Sequence, residues 1–271
     1  MSFKESMWLQ YQIDANWTTP FIFIVYNIVR PMGAALLLVA MFYVVTGGYM
    51  GGGDLAFLFI GNAFFMLVSQ TLFFVGWIVH DDREHYQTLK YIYISPMSYF
   101  KYLIARSAMR FLLSMFALLV LLLAGLYFRI PYDPNYVLLV AVFVVGWVFI
   151  IGAGLLLSGI NMLTARHGGS VGEAAAGIFY LLSGAIFPLT VLPQWVRGVS
   201  LALPSTYWFS LVRRAMLGVE NDGVMAGYST TQVILYPLAI SLLLLGISYL
   251  MFVAVDHLAR KKGILDMTTT Y

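Results

Sequence analysis

The densest run of groups able to do chemistry is His80-Asp81-Asp82-Arg83-Glu84-His85. On a helix, His80 with Glu84 and Asp81 with His85 stand four residues apart and share a face. That is a spacing at which two side chains can hold a divalent metal. No further ligand set accompanies them: the chain has no cysteine and four histidines in all. The run therefore reads as a charged helix start at a membrane surface, its acids near the positive end of the helix dipole. No metal is expected. No catalytic residue is assigned either, because H-E-x-x-H and a pair of acids within one apolar stretch are both missing from the sequence. The phosphate loop G-x-x-x-x-G-K-S/T is missing too. The glycine-rich run 47–53 lacks the lysine and reads as a flexible outer turn. The remaining chemistry-bearing residues stand singly in apolar surroundings. Arg30, Asn62, Gln70 and Glu173 are candidates for a translocation path. An arginine at the bilayer centre costs about 2.5–3.5 kcal/mol on insertion scales. Arg30 either faces the bundle near an inner gate or snorkels to the surface. Glu173 either pairs with Arg166 or lines an inner vestibule. Asn27, Ser69, Thr71, Ser114, Ser158 and Asn161 either line a path or join helices.

The elements that must position these residues follow from composition. The 271 residues are 61% hydrophobic and 10% charged, against about 45–50% and 25% in a soluble domain. Mean hydropathy is +0.86. Such a chain is an integral membrane protein, and disordered, collagen-like and disulfide-scaffold classes are excluded. Six stretches reach the roughly 20 residues that a spanning helix needs: Phe21–Val45, Leu55–Val79, Tyr102–Tyr127, Tyr136–Ile160, Gly172–Leu192 and Gln232–Val255. Lys4, Arg83, Lys90, Lys101, Arg106, Arg110, Arg166, Arg260, Lys261 and Lys262 flank one side. Only Arg129, Arg197, Arg213 and Arg214 flank the other. The positive-inside rule then puts both termini in the cytoplasm. Most of the 20 Phe, 18 Tyr and 6 Trp are expected in lipid-facing or interfacial belts.

Three segments are not simple spans. In residues 2–19, Phe3, Met7, Trp8, Tyr11 and Ala15 share one helical face, which predicts an amphipathic helix lying in the inner interface. In the loop His80–Lys101, Tyr86, Leu89, Ile92 and Tyr93 recur at helical spacing, which predicts a short amphipathic helix suited to a partner's groove. Ser95-Pro96 is expected to end that helix and start the next, with Ser95 as cap and Pro96 in the first turn. In Phe187–Gly218, Pro188, Pro193 and Pro204 break an apolar segment. Two short helices dipping into the outer leaflet are expected, Pro193 and Pro204 each beginning one.

These pieces resemble ABC transporter permeases of the type-2 exporter family. Arg83-Glu84-His85, Thr88-Leu89 and Ile94-Ser95-Pro96-Met97-Ser98 resemble that family's E-(H/R)-x-x-T-L-x-x-L-x-x-(S/T)-P-x-S stretch. Leu182-Ser183-Gly184-Ala185-Ile186-Phe187-Pro188 and Leu192-Pro193-Gln194-Trp195 resemble its L-S-G-x-x-(F/Y)-P and L-P-x-W stretch. Pro204-Ser205-Thr206-Tyr207, Arg214 and Gly218 are similar to the P-x-T-Y, R and G that follow, and Arg30-Pro31 is similar as well. Tyr91-Ile92-Tyr93 is bulkier than the family's aliphatic run.

The resemblance implies an all-α, six-span single transmembrane domain over residues 1–271. Residues 2–19 would be the connecting helix, 81–98 the coupling-helix loop and 188–207 the re-entrant outer helices. Arg83, Glu84, Thr88, Leu89, Ile92, Ser95 and Pro96 would couple to a cytoplasmic ATPase, with Pro188, Pro193, Trp195, Pro204 and Tyr207 at the outer gate. The chain would have no ATPase of its own. ATP and Mg would be bound by the partner ATPase, and the permease would act in the lipid bilayer as a homodimer, with no nucleic acid involved. A multi-pass protein of a prokaryotic plasma membrane is expected. The cargo expected is a hydrophobic or amphipathic small molecule, as in multidrug efflux, or a lipid-like compound. The alternatives are a lipid-linked polysaccharide or teichoic acid and, more distantly, an ion-gradient-driven secondary transporter.

Overall fold

Long apolar runs leave the backbone no water to bond with, so each closes its hydrogen bonds within itself as helix. The computed structural model describes residues 2–16, 19–47, 53–163, 168–218 and 224–263. These form α1 (Phe3–Asn16), α2 (Pro20–Val45), α3 (Gly53–His80), α4 (Leu89–Ile94), α5 (Tyr99–Tyr127), α6 (Tyr136–Leu163), α7 (Gly168–Leu182), α8 (Gln194–Ala202), α9 (Pro204–Leu217) and α10 (Thr230–Lys262). A π turn, Asp81–His85, extends α3, and a short 3₁₀ turn, Leu189–Val191, precedes α8. Among the described residues there is no strand. α10 starts where Ser229 and Gln232 form a reciprocal cap: the Gln232 amide donates to Ser229 Oγ, and the Ser229 amide donates to Gln232 Oε1.

Five helices, α2, α3, α5, α6 and α10, are long and apolar enough to cross a membrane. The sixth predicted stretch differs. Its described helix α7 has 15 residues, about 22 Å at the α-helical rise, and ends ten residues before the expected Leu192. Gly184 takes a left-handed φ of +70°, which stops the helix, and Pro188 cannot supply the amide that would resume it.

The core is built where small residues let backbones meet. Ser158 Oγ donates to Val75 O at 2.6 Å and Asn161 Nδ2 to Gly76 O at 2.7 Å, joining α6 to α3. Ser248 Oγ donates to Gly152 O at 2.7 Å, joining α10 to α6. Ser158 and Asn161 are thus interhelical contacts. α9 is buried nearly all round. Trp208 lies at its centre, with Nε1 donating to Val142 O at 2.8 Å and the ring edge-on to Phe64. A side chain at Gly146 would strike that ring, its Cβ falling 2.8 Å from Nε1. α2 is different: Pro31, Ala35 and Val39 are buried in one stripe of i,i+4 spacing, and most of its other apolar side chains are exposed.

Gly61 marks the tightest approach in the far half of the bundle. A Cβ there would overlap the Ala185 carbonyl oxygen. Gly33 has no heavy atom within 4 Å of such a Cβ. Gly61→Ala should therefore destabilise the protein by about 1–3 kcal/mol, the usual range for overpacking, whereas Gly33→Ala should leave it unchanged or slightly stabilised. Unfolding midpoints of both variants in one detergent check this.

Candidate functional site

The charged run at the end of α3 does not continue as α-helix. The Tyr86 amide bonds Asp81 O at 2.8 Å, a five-residue repeat that widens the last turn, as π turns do, often at functional positions. Asp82, Arg83 and Glu84 are 1%, 3% and 8% exposed. Three consecutive residues are buried together because side chains of α5, α6 and the head of α4 pack on the turn. The chain then reverses through Gln87, whose φ of +52° is rare for a residue with a side chain.

Asp82 is the hub. It accepts hydrogen bonds from Arg106 Nη1, from Tyr102 Oη at 3.1 Å, from Tyr99 Oη at 3.3 Å and from Thr88 Oγ1 at 3.4 Å. Arg106 also donates from Nε to Gln10 Oε1 at 2.6 Å. One helical turn further along, Arg110 Nη1 donates to Asp14 Oδ2 at 3.1 Å, and its guanidinium lies 3.3 Å from the centre of the Phe74 ring. The two α1–α5 pairs share the same separation of 96 residues, so the two helices run side by side in the same direction. Ser6 and Gln10 on α1 are buried, whereas Phe3 and Trp8 are exposed. The polar stripe of α1 is therefore turned onto α5 and its apolar face outward.

The residues expected to couple to an ATPase divide into two sets. Arg83 donates to Met162 O at 3.4 Å and pairs with Glu84 at 3.3 Å. Leu89 and Ile92 are buried in one cluster with Ile78, Val79 and Tyr102. Ser95 closes α4, its Oγ donating to Ile92 O at 2.7 Å. It does not cap the next helix: Pro96 lies in the bend, and α5 begins at Tyr99 behind Ser98. These side chains hold the loop from inside. The outward face of α4 carries Tyr91 and Ile94, 61% and 82% exposed. Tyr93 ties α4 to α10, its hydroxyl donating to Asp256 Oδ1 at 2.6 Å. Burial and that carboxylate push the Tyr93 hydroxyl well above its ordinary pKa. Arg260 bonds Asp256 at 3.1 Å and lies over the Tyr93 ring at 4.7 Å.

At the opposite end, Pro193 immediately precedes α8 and Pro204 is the first residue of α9. Pro188 opens the 3₁₀ turn, and Trp195 is exposed. α9 runs on to Leu217, ten residues beyond the expected 207. Thr206 Oγ1 donates to Ser200 O at 2.6 Å and Tyr207 Oη to Leu201 O at 2.7 Å. Both satisfy terminal carbonyls of α8. Arg213 Nη2 donates to Gly184 O at 2.6 Å and Ala185 O at 2.9 Å, bracing the break after α7.

The path candidates are not brought together. Asn62 is buried and accepts from Tyr180 Oη at 3.3 Å, Glu173 is exposed on α7, and Arg166 lies outside the described residues, as does the Arg30 side chain. Gln70 lines a chamber of about 560 Å³ between α1, α2, α3, the π turn and α5, together with Asn27, Trp77, Asp81 and Arg110. Among the described residues, no three acidic or histidine side chains are grouped to hold a metal. Sequence reading missed the partners Gln10, Asp14, Asp82, Arg106 and Arg110. The signal was present: two arginines four apart at the head of an apolar stretch require buried partners, and Gln10 and Asp14 repeat the same interval.

Residues 4–217 match the family described as ABC-2 type transporter. The chain belongs to that family. It is an ABC permease, and membership implies an ATPase partner on which ATP and Mg act. No curated protein matches the chain. The family match ends at the last residue of α9, so α10 lies beyond it, yet Tyr93 ties α10 to the ABC-2 loop.

Arg106→Ala should destabilise the permease by about 3–5 kcal/mol, because it leaves the Asp82 charge buried and unmatched. Asp82→Leu combined with Arg106→Met should cost less than the two single changes together. A double-mutant cycle in detergent, with a coupling above about 1 kcal/mol, checks this.

Proposed function

We propose that this permease is the membrane subunit of an ATP-driven exporter, with two copies meeting two cytoplasmic ATPase subunits in a prokaryotic plasma membrane. Its cargo is a hydrophobic or amphipathic small molecule or a lipid-like compound, moved out of the cytoplasm or inner leaflet. The observation that carries the reading is the asymmetry of α4. Its exposed face presents Tyr91 and Ile94, large apolar groups that favour a partner's groove over water. Its inner face is fixed to α3, α5 and α10 through Leu89, Ile92, Tyr93 and the Asp82 hub. A push on α4 would therefore reach three long helices without being absorbed in the loop.

In this reading Arg83, Glu84, Thr88, Leu89, Ile92, Ser95 and Pro96 transmit force, and Tyr91 and Ile94 receive it. Hydrolysis occurs on the ATPase, since this sequence carries no phosphate loop. α8 and α9 form the outer gate, hinged at Leu203-Pro204 and tied by Thr206 and Tyr207. A chamber of about 560 Å³ suits a drug-sized molecule, which favours small cargo over a polymer such as teichoic acid.

Tyr91→Ala with Ile94→Ala should weaken ATPase binding about tenfold or more, the loss usual for two interface anchors. The unfolding midpoint should hardly move. Glu84→Ala with Leu89→Ala should lower that midpoint as well as coupling. Co-purification and cargo-stimulated ATP hydrolysis in lipid read both effects, and undiminished binding by the Tyr91/Ile94 variant would sink the reading.

A further inference from the structure

The chamber is lined both by aromatic rings and by charged groups. Phe73 and Trp77 stack at 6.0 Å with planes 10° apart, and both line it. Carboxylates and guanidinium groups line the chamber or lie directly behind its lining. Arg106 is matched by Asp82, Arg110 by Asp14 and Arg83 by Glu84. Asp81 also lines the chamber; the Trp77 side chain donates a hydrogen bond to it, and no ion pair among the described residues includes it. The described groups around the space thus comprise Asp14, Asp81, Asp82 and Glu84 against Arg83, Arg106 and Arg110, which leaves one carboxylate in excess. α2 meets the bundle along a single buried stripe, so the chamber is walled on that side by a helix with few inward contacts.

A half-buried carboxylate standing beside aromatic rings at a space of this size is matched by one kind of guest. It must carry a single positive charge to complete the balance, and apolar bulk to fill the volume. We infer that the chamber is a binding site for an amphiphilic monocation, with its charge beside Asp81 and its apolar body against Phe73 and Trp77. An anion would meet the excess carboxylate, and its nearest guanidinium groups are already taken. A neutral guest would leave Asp81 with no cation paired to it. The inference deepens the exporter reading by naming a cargo class, and rests on that reading only for direction of transport.

Tetraphenylphosphonium and tetraphenylborate are the probes, because they share size and shape and differ in sign. Binding of each to the full chain in nanodiscs is measured against empty nanodiscs, without ATPase or ATP. Failure of coupling therefore cannot masquerade as failure of the site. The cation should bind saturably and about tenfold or more tighter than the anion, as expected for one desolvated charge contact. Asp81→Asn should remove most of that preference, Asp81→Glu should keep it, and Trp77→Leu should weaken the cation alone. Leu123→Ala, on the exposed side of α5 and outside the chamber, should change nothing. Equal affinity for both ions, no saturable cation binding, or an Asp81→Asn variant with folded stability and undiminished preference would each overturn the inference.

Discussion

A guanidinium and a carboxylate withdrawn from water commit everything around them. Arg106 and Asp82 are each about 1% exposed, and burial of that kind is tolerated only when every donor and lone pair finds a partner. Satisfying Asp82 takes Tyr99 and Tyr102 from α5 and Thr88 from the loop. Satisfying Arg106 takes Gln10 from α1. Helices far apart in sequence are thereby held at one point by hydrogen bonds of defined direction. The apolar contacts of the bundle lack that directionality, since lipid is as good a neighbour for leucine as another leucine.

The two ends of the permease solve different problems with different means. At the α1 end, ionic groups fix where a short loop helix stands, leaving its outer side bare. At the other end, backbone carbonyls are the liability, because α7 stops early and the chain turns back within apolar surroundings. Arg213, Thr206 and Tyr207 each donate to carbonyls that the interrupted helices leave open. The motif Pro204-Ser205-Thr206-Tyr207 has a mechanical sense here. Proline starts one helix while the next polar pair closes the end of the helix before it.

Much of this was legible in the amino-acid sequence, and the limits have physical causes. Helical class, the family and the interrupted outer segment follow from hydropathy, motif order and proline placement. The length of the sixth stretch was overread because hydropathy counts apolar residues and is blind to the left-handed turn at Gly184. The π turn was invisible, since it changes neither composition nor period by more than one residue. Gln10 and Asp14 read as the wet side of an interfacial helix, although their four-residue interval matches that of Arg106 and Arg110. Leu89 and Ile92 were correctly read as one apolar helical face. Which side of α4 meets a partner depends on the neighbours that bury them, and those lie elsewhere in the chain.

The constant offset of 96 residues between α1 and its α5 partners has a meaning for how the protein is made. Translation at about 5–20 residues per second places α5 in the membrane some 5–20 s after α1 has left the ribosome. For that interval α1 has no ionic counterpart. Its apolar face, bearing Phe3 and Trp8, is what can keep it on the lipid surface meanwhile. On a lipid surface the outward-facing aromatics of α1 would serve as a mooring during biogenesis, holding this segment where the arginines of a much later one will arrive.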